Sequence, residues 1–411
     1  MLRRNFWLAW SLGCFLCSAA IGGDWPQILG PGRDGHAVDE KAPVHWSKSL
    51  TPAWTLACGE GYAGVAIAEG QVVVFDRVAD GERVRLISLA DGTMVWSTPV
   101  PTNYAGGINP DRGPRCVPVI EKNSVIVYGA SGQLSCLDRK TGKVVWTRDA
   151  RKEYGADDGY FGAGSSPLVV DSKVIVAVGG KKRGGVVAFR LDNGAMLWES
   201  IGAEASYASP ILLKGSSGPS LFVPTRLVAY GMDLEKGKVL YQFPFGQRGP
   251  TVNAATPVLL SDGSVFLTAS YGIGSTLAKP TSSSPSVVYS GESLLSSQYA
   301  TPIVYGDMVY GSDGREDMGS ASIKCVDVRN KKVLWTESGF GICHLVGFKD
   351  HILGVTLDGR VVLFEAKSNA FQSVTQAQLP AGMYRALPAF SQGTLVVRHS
   401  DGPQSEIQAF R

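Results

Sequence analysis

Four side chains suited to ligand binding stand at equivalent places in the sequence, each three residues before a proline that opens an apolar run. They are Arg115, Tyr207, Tyr299 and Arg385. Arginine presents a planar fork of donors to a carboxylate or phosphate, and tyrosine presents a stacking face and a hydroxyl. If the apolar runs surround one channel, the arginines flank one side and the tyrosines lie opposite. The pattern therefore predicts a channel-mouth site for a small planar anion or an acidic peptide segment.

The same position in the other units holds small or apolar residues, so bulky polar side chains fall in alternate units. The small or apolar residues are Ala63, Gly164, Ala254 and Ile342. His344 follows the last of these and joins the candidate set, either as a structural histidine or, with Cys343, as part of a metal site. No second pair at ligand spacing supports a metal. A competing interpretation is that these side chains only fill the channel and bond loop carbonyls, because loop backbone groups need partners.

The sequence predicts no catalytic set and no metal site. The acidic loops at Asp157-Asp158 and at Asp313, Glu316 and Asp317 lack the spacing of a calcium loop, and we expect solvated turns there. The loops at 112–115 and 154–161 are longer than typical connections. We therefore expect these two loops to form lids or contact surfaces.

The elements that must position these residues are repeated units. Each unit has a strand, a turn rich in Gly, Asp and Asn, and a second strand that reaches an aromatic residue, as in Cys136–Trp146, Ala188–Trp198 and Cys325–Trp335. Glycine suits such hairpin turns because it adopts positive φ without steric cost. We expect the aromatic residues to pack between neighbouring units. Counted along the chain they are Trp54, Trp96, Trp146, Trp198, Tyr241, Tyr289, Trp335 and Phe371.

Most units open with Ser or Thr, then Pro, then alternating apolar residues, as at Ser166-Pro167. Together with the hairpin this makes four strands in about 45 residues, the length of a propeller blade. The sequence thus predicts an all-β, eight-bladed β-propeller of four-stranded antiparallel blades. The strand of Trp54 and the C-terminal strands are expected to complete one blade, which leaves no open edge. Seven blades is the alternative, because the polar loop 279–285 replaces the hairpin of the fifth unit.

The pattern Cys136-x-Asp-x-x-Thr-Gly-Lys-x-x-Trp146 resembles the repeat of pyrroloquinoline-quinone (PQQ) alcohol dehydrogenases and of their cofactor-free relatives, which include BamB-type outer-membrane-assembly lipoproteins. The opening Asp24-Trp-Pro-Gln-Ile-Leu-Gly-Pro-Gly-Arg-Asp-Gly35 resembles the start of secreted PQQ-like repeat proteins. The resemblance covers essentially the whole mature chain. It implies the propeller fold and does not determine the activity, since one fold carries many functions.

The resemblance implies two alternative functions. The dehydrogenases carry an adjacent cysteine pair near the quinone, whereas no two cysteines of this chain are adjacent, and it has no Cys-x-x-Cys-His haem motif. We therefore expect a non-enzymatic binding or protein-interaction scaffold without a cofactor, which binds envelope proteins, peptide segments or a small anionic ligand. The alternative is an alcohol or sugar dehydrogenase that uses PQQ with calcium.

The N-terminus predicts export. Arg3 and Arg4 precede an apolar run and several small residues, which indicates a signal peptide over 1–22, an extended segment over 23–43 and one propeller domain over 44–411. We expect a periplasmic or secreted monomer, attached to a membrane only if the signal is not cleaved. Five cysteines remain after cleavage, and Cys136 and Cys325 are expected as small buried apolar side chains. The net charge is only +3, and positive and negative residues are interspersed along the sequence, which argues against a nucleic-acid partner.

Overall fold

Eight four-stranded antiparallel sheets form the protein, which confirms the predicted eight-bladed propeller. The computed structural model describes residues 23–215, 218–280, 285–401 and 404–411. The predicted signal peptide lies outside the described residues. No helix in the described ranges is both long and apolar enough to cross a membrane.

The first four blades follow one another along the chain after a single strand, β1 (Trp54–Cys58), that belongs to the last blade. Blade 1 contains β2 (Ala66–Ala68), β3 (Gln71–Val78), β4 (Gly81–Ser88) and β5 (Met94–Val100). Blade 2 contains β6 (Val119–Glu121), β7 (Ser124–Tyr128), β8 (Gln133–Asp138) and β9 (Val144–Asp149). Blade 3 contains β10 (Leu168–Val170), β11 (Lys173–Ala177), β12 (Val186–Arg190) and β13 (Met196–Ser200). Blade 4 contains β14 (Ile211–Gly215), β15 (Gly218–Pro224), β16 (Val228–Asp233) and β17 (Val239–Pro244).

The last four blades repeat this order. Blade 5 contains β18 (Val258–Leu259), β19 (Val265–Ala269), β20 (Gly274–Lys279) and β21 (Ser286–Gly291). Blade 6 contains β22 (Ile303–Tyr305), β23 (Met308–Asp313), β24 (Ser322–Asp327) and β25 (Lys332–Glu337). Blade 7 contains β26 (Cys343–Gly347), β27 (His351–Thr356), β28 (Arg360–Glu365) and β29 (Ser373–Gln378). Blade 8 contains β30 (Ala389–Ser391), β31 (Thr394–Asp401), β32 (Gln404–Phe410) and β1. Two short helices lie between strands, α1 (Ala150–Tyr154) and a 3-10 helix (Glu316–Met318).

The two ends of the chain close the ring, as predicted. Strand β1 pairs antiparallel with β32, and Trp54 lies opposite Ala409. The seam with blade 1 is reinforced by Arg398 of β31, whose buried guanidinium donates to the carbonyl oxygen of Phe75 at 3.2 Å. Nearby, the fully buried carboxylate of Asp76 accepts from Arg85 at 3.0 Å. The blade that joins both termini is therefore held by strand pairing and by buried charged hydrogen bonds.

A belt of hydroxyl groups joins neighbouring blades around the channel. In each link, the backbone N–H of the residue before the proline donates to the hydroxyl of the equivalent Ser or Thr in the next blade. The links run from Val117 to Ser166, Ser209, Thr256 and Thr301, at 2.9, 2.9, 3.3 and 2.9 Å. The repeated Ser/Thr-Pro motif is explained by this belt, because each buried amide needs an acceptor that the innermost strand cannot supply.

Tryptophans bind neighbouring blades at the perimeter. Five indole N–H groups donate to a backbone carbonyl in the next blade, at 2.8 to 3.2 Å: those of Trp54, Trp96, Trp146, Trp198 and Trp335. The ring of Trp146 also covers Gly194 in the turn of blade 3. A Cβ on Gly194 would lie 2.7 Å from the ring, and its φ is +69°. The turn glycine is thus required both by backbone conformation and by the neighbouring ring.

Blade 7 departs from the predicted aromatic pattern. Phe371 was predicted on the outer strand, but β29 begins at Ser373, so Phe371 precedes the strand. The residue that pairs like the outer-strand aromatics is Thr375, opposite Leu363 and next to the same register shift. Phe371 instead packs its ring 5.7 Å from Trp335 and 5.2 Å from Phe364. The spacing of Phe371 therefore wrongly indicated an outer-strand position. An aromatic side chain in the turn before the strand can also pack between blades.

The fifth unit keeps its hairpin despite the polar loop that the sequence places there. Strands β20 and β21 pair with Leu277 opposite Tyr289, and the register shifts after Leu277 as in the other blades. Residues 281–284 within the connecting loop lie outside the described residues. The alternative of seven blades is therefore wrong, since a longer loop did not remove the strand pairing.

Residues 25–37 of the N-terminal segment lie against the innermost strands around the channel, whereas residues 48–50 pair with Gln378 on the outer strand of blade 7. Ile28 and Leu29 pack against Val117 and Leu387 of the channel wall. Its side chains and backbone bond to residues on or beside the innermost strands of blades 1, 2, 3, 6 and 7, namely Ile67, Ile120, Pro167, Val304 and Gly347. This segment thus covers part of the channel wall. The side of the ring where the chain passes into each innermost strand is called the upper face below.

The cysteines make no disulfide in the described part of the chain. Cys136 and Cys325 are buried opposite Trp146 and Trp335, where Ala188 lies opposite Trp198 in blade 3. Their expected role as small buried apolar side chains is confirmed by this placement.

We predict that Gly194→Ala destabilises the protein more than Gly306→Ala does. Gly306 also has positive φ (+62°) but no neighbouring atom within 4 Å of its Cβ position. Its substitution should cost the backbone strain alone, about 1–2 kcal/mol. Gly194→Ala adds a clash with Trp146, worth about a further 1–3 kcal/mol. Denaturant unfolding would measure both, and equal losses of stability would contradict the role of the tryptophan ring.

Candidate functional site

Arg385 and Tyr299, two of the predicted residues, lie together on the upper face. The Arg385 guanidinium is 3.2 Å from the Glu316 carboxylate and lies 5.3 Å from the centre of the Tyr299 ring. The Tyr299 hydroxyl donates to the same carboxylate at 3.0 Å. Burial raises the pKa of Tyr299, so the phenol stays protonated and keeps this hydrogen bond. The 3-10 helix positions Glu316 at the point where both side chains reach it.

Tyr62 joins the two arginines, and sequence reasoning missed it. Its ring lies 5.9 Å from the guanidinium of Arg115 and 5.0 Å from that of Arg385. Cation–π contacts of this kind are favourable when the groups are partly removed from water. The first unit lacks the proline used for alignment, so the aligned position fell on Ala63. Tyr62 is the residue just before Ala63. An aromatic residue next to the aligned position was the signal that could have found it.

Arg115 is held by its own loop. Its guanidinium donates to the carbonyl oxygen of Gly113 and, at 2.7 Å, to that of Asp111, whose carboxylate lies 3.8 Å away. These contacts are those of the competing interpretation, in which the side chain satisfies loop carbonyls. The same contacts hold the guanidinium beside Tyr62. Arg115 therefore satisfies its loop and also contributes to the surface at the mouth.

His344 supports the loop of Arg385 from below. Its Nε2 is 2.9 Å from the carbonyl oxygen of Arg385 and must carry the hydrogen, because a carbonyl only accepts. Burial lowers the pKa of His344 to about 4, so the imidazole is neutral at ordinary pH. No group of three or more metal-ligating side chains occurs among the described residues. His344 is thus a buried side chain bonded to the Arg385 loop. We call Tyr62, Arg115, Tyr299, Glu316, His344 and Arg385 the mouth cluster.

Tyr207 lies apart from the mouth cluster, so the predicted set divides in two. Its hydroxyl accepts from the backbone N–H groups of Tyr160 and Phe161, at 3.1 and 2.9 Å, and its ring centre is 5.4 Å from that of Phe161. The side chain lines a cavity of about 330 Å³ between blades 3 and 4. The expected arrangement of two arginines facing two tyrosines is therefore replaced by one cluster and one separate cavity.

Exposed apolar side chains flank the mouth cluster. Met318 ends the 3-10 helix that carries Glu316 and is 66% exposed, and Ile108, in the loop that leads to Arg115, is 70% exposed. Met383 lies two residues before Arg385 and is also exposed. Apolar side chains of this exposure on loops around a polar cluster are typical of contact surfaces between proteins.

A buried carboxyl group lies at the seam of blades 1 and 2, close to this surface. Glu82 accepts from the backbone N–H of Ala130 at 2.8 Å and is 1% exposed. Burial raises its pKa to about 7, and the positive charges of Arg77 and Arg115 offset this only in part. Two buried groups near the mouth, Glu82 and His344, therefore have pKa values shifted in opposite directions, so acid pH changes their contributions to stability in opposite senses.

The fold and its repeats define a β-propeller of the PQQ-repeat class. The family model described as outer membrane protein assembly factor BamB matches residues 36–212 and 80–337, more than half of the chain. The chain belongs to this family.

Curated relatives include both kinds of protein that the repeat resembles. A region of 176 residues is 25% identical to the outer membrane protein assembly factor BamB of Yersinia pestis and covers 42% of this chain and 39% of that relative. A region of 148 residues is 30% identical to the dehydrogenase subunit of a quinone alcohol dehydrogenase of Komagataeibacter europaeus and covers 32% and 19%. The chain thus matches less than half of the length of either relative.

Solved structures share the fold. BamB from Moraxella catarrhalis superposes with a TM-score of 0.61 at 16% identity, covering 87% of this chain and 97% of that one. The quinohemoprotein alcohol dehydrogenase from Comamonas testosteroni gives 0.70 at 13% identity, covering 94% and 80%. At these identities the likeness is one of fold alone.

The described residues do not fit PQQ with its calcium ion. Calcium requires six to eight oxygen ligands. In the described part of the channel, the apolar side chains of Ile28 and Leu29 pack instead against Val117 and Leu387. The polar groups at the mouth are paired with one another, as Arg385 is with Glu316.

We predict that His344→Asn removes an acid-sensitive part of the stability. The folded-state pKa of about 4 lies below the ordinary value of 6.5, so the unfolded chain binds an extra proton between these values. The contribution is fully present above pH 6.5 and falls by about 3 kcal/mol as pH is lowered to 4. Glu82, with its raised pKa, changes stability in the opposite sense from pH 7 to 4.5.

The measurement is therefore the difference in unfolding free energy between wild type and variant across this range, with Glu82→Gln as the control of opposite sign. An identical pH dependence of wild type and His344→Asn would contradict the prediction.

Proposed function

We propose that this protein is a non-enzymatic scaffold of the cell envelope that docks a segment of a partner protein on its upper face. The observation that carries the proposal is the mouth cluster, in which Arg115 and Arg385 share the ring of Tyr62. Arginine and tyrosine are the residues that most often dominate protein–protein binding energy. Their loops are held by internal hydrogen bonds, so little conformational entropy would be lost on binding.

The charge balance of the cluster favours a protein segment over a free anion. Arg385 is already paired with Glu316, and Arg115 with Asp111. A small anion would have to compete with these carboxylates, whereas a peptide can use the exposed edges of paired side chains and the backbone around them. Met318 and Met383 add adaptable apolar contacts on either side.

The covered channel supports docking from one side. Because residues 25–37 lie against the innermost strands, a partner would meet a covered channel rather than an open pore. The name of the family, an outer membrane protein assembly factor, is consistent with protein partners in the envelope. Export by the segment 1–22 is part of this proposal.

We predict that the double variant Arg115→Ala, Arg385→Ala stays folded but loses its protein partner. Both side chains are on loops and not in strands, so the blades should be retained. The measurement is quantitative co-purification from envelope extract, compared with wild type and with Arg190→Ala, which changes an exposed arginine at the end of β12. Proteins retained by wild type and by Arg190→Ala should be depleted in the double variant.

The proposal would be overturned if the double variant retained the same proteins, or if wild type retained none. Circular dichroism of each variant would establish that the loss of binding is not a loss of fold.

A quinone-dependent oxidoreductase is the second candidate, favoured by the match to the quinone alcohol dehydrogenase subunit. We predict no dye reduction when purified protein receives PQQ, calcium and a primary alcohol or an aldose, because the described channel is packed with apolar side chains. A PQQ-dependent rate well above a heat-treated control would favour this second candidate instead.

A further inference from the structure

The cavity between blades 3 and 4 opens on the upper face and is separate from the mouth cluster. Its volume is about 330 Å³, within the ~300–1,000 Å³ of small-molecule sites. Tyr207 and Tyr160 contribute aromatic surface, Val178 and Val252 contribute apolar surface, and Arg151 contributes a cation. The lining thus combines aromatic and apolar surface with charged side chains, of which Arg151 is distinguished by its burial.

Arg151 is the cation in this wall with the weakest compensation. It belongs to α1, and its side chain is 8% exposed. Among the residues that the structure describes, its one ion pair is with Asp158 at 3.4 Å. That carboxylate is 63% exposed, so water screens the attraction. Its Nε has no hydrogen-bond partner within the described ranges. A buried guanidinium is costly unless its donors are satisfied, so this group is suited to bind an oxyanion.

The backbone makes room for Arg151 in this position. Gly132 has φ +87°, and a Cβ there would lie 2.3 Å from the Cγ of Arg151. The glycine therefore lets the aliphatic part of the arginine lie flat against the turn of blade 2. The guanidinium is held in place more by packing of the side chain against this turn than by hydrogen bonds to its own N–H groups.

The other charges of the cavity neutralise one another. Arg226 lies 3.4 Å from Glu204, donates to the Tyr160 hydroxyl at 3.3 Å and stacks on the Tyr160 ring at 5.2 Å. Lys181 is 2.6 Å from Asp157 and 3.6 Å from Glu204. These two cations are compensated, and the charge left for a ligand is that of Arg151. One available positive charge matches a monoanion.

We propose that this cavity binds a small aromatic monocarboxylate. The carboxylate takes the place of Asp158 on Arg151, because a planar oxyanion can accept two parallel N–H donors from the guanidinium. The ring of the ligand packs between Tyr207, Tyr160 and the apolar wall. Arg151 confers affinity for the charge, and Asp158 competes for the same donors.

The proposal is tested by isothermal titration calorimetry with 4-hydroxybenzoate as the probe and 4-hydroxybenzamide as its neutral counterpart. Wild type should bind the acid and not the amide. Arg151→Gln should weaken binding of the acid by about ten- to a hundredfold, which is the contribution of a charge-assisted hydrogen bond. Asp158→Asn should strengthen binding of the acid by about two- to fivefold, because the exposed carboxylate that competes for Arg151 is removed. Arg190→Gln, at a remote exposed arginine, should leave the affinity unchanged.

Equal binding of acid and amide, equal binding by wild type and Arg151→Gln, or no binding by wild type at millimolar concentration would overturn the proposal. If Arg151→Gln does not fold, wild type and Asp158→Asn decide, and unchanged or weaker binding by Asp158→Asn would overturn it. The double variant Arg115→Ala, Arg385→Ala should still bind the probe, since the site does not depend on the docking function.

Discussion

Hydrogen bonds that recur at equivalent positions join neighbouring blades at two radii, through four hydroxyl links near the channel and five indole links at the perimeter. Near the channel, the hydroxyl belt through Ser166, Ser209, Thr256 and Thr301 accepts backbone amides from the preceding blade. At the perimeter, indole N–H groups reach carbonyls of the next blade, as Trp146 does to Leu191. One blade cannot bury both faces of its own sheet, so these contacts and the packing between them make the blades into one protein.

This arrangement leaves the upper loops free to differ. The belt and the tryptophans constrain the strands and turns of each unit, whereas the connections above the innermost strands need only return the chain to the next blade. Function can therefore be built from those connections without disturbing the ring. The mouth cluster and the cavity beside Tyr207 both arise there, in blades that differ from one another mainly in loop length.

The repeat was predictable, since each unit carries its own local signals in turn glycines, alternating apolar residues and a terminal aromatic. Errors came where several side chains can satisfy the same packing need, as at Phe371, whose aromatic ring fills the space from the turn while Thr375 occupies the strand. The candidate site was predictable only in part. Arg115, Tyr299 and Arg385 come from equivalent positions, but Tyr62 and Glu316 come from other positions in their units and carry no periodic signal.

The sequence by itself determined the repeat, the four-stranded blade and the closure by both termini, because these depend on periodic and local patterns. Only the tertiary structure decided which mouth residues meet, that Tyr207 belongs to a separate cavity with Arg151, and that residues 25–37 lie against the innermost strands. These contacts join residues distant in the chain, as Arg33 does when it donates to Pro167 across the channel at 2.9 Å. Such contacts follow from the curvature of the closed ring and not from the spacing of residues along the chain.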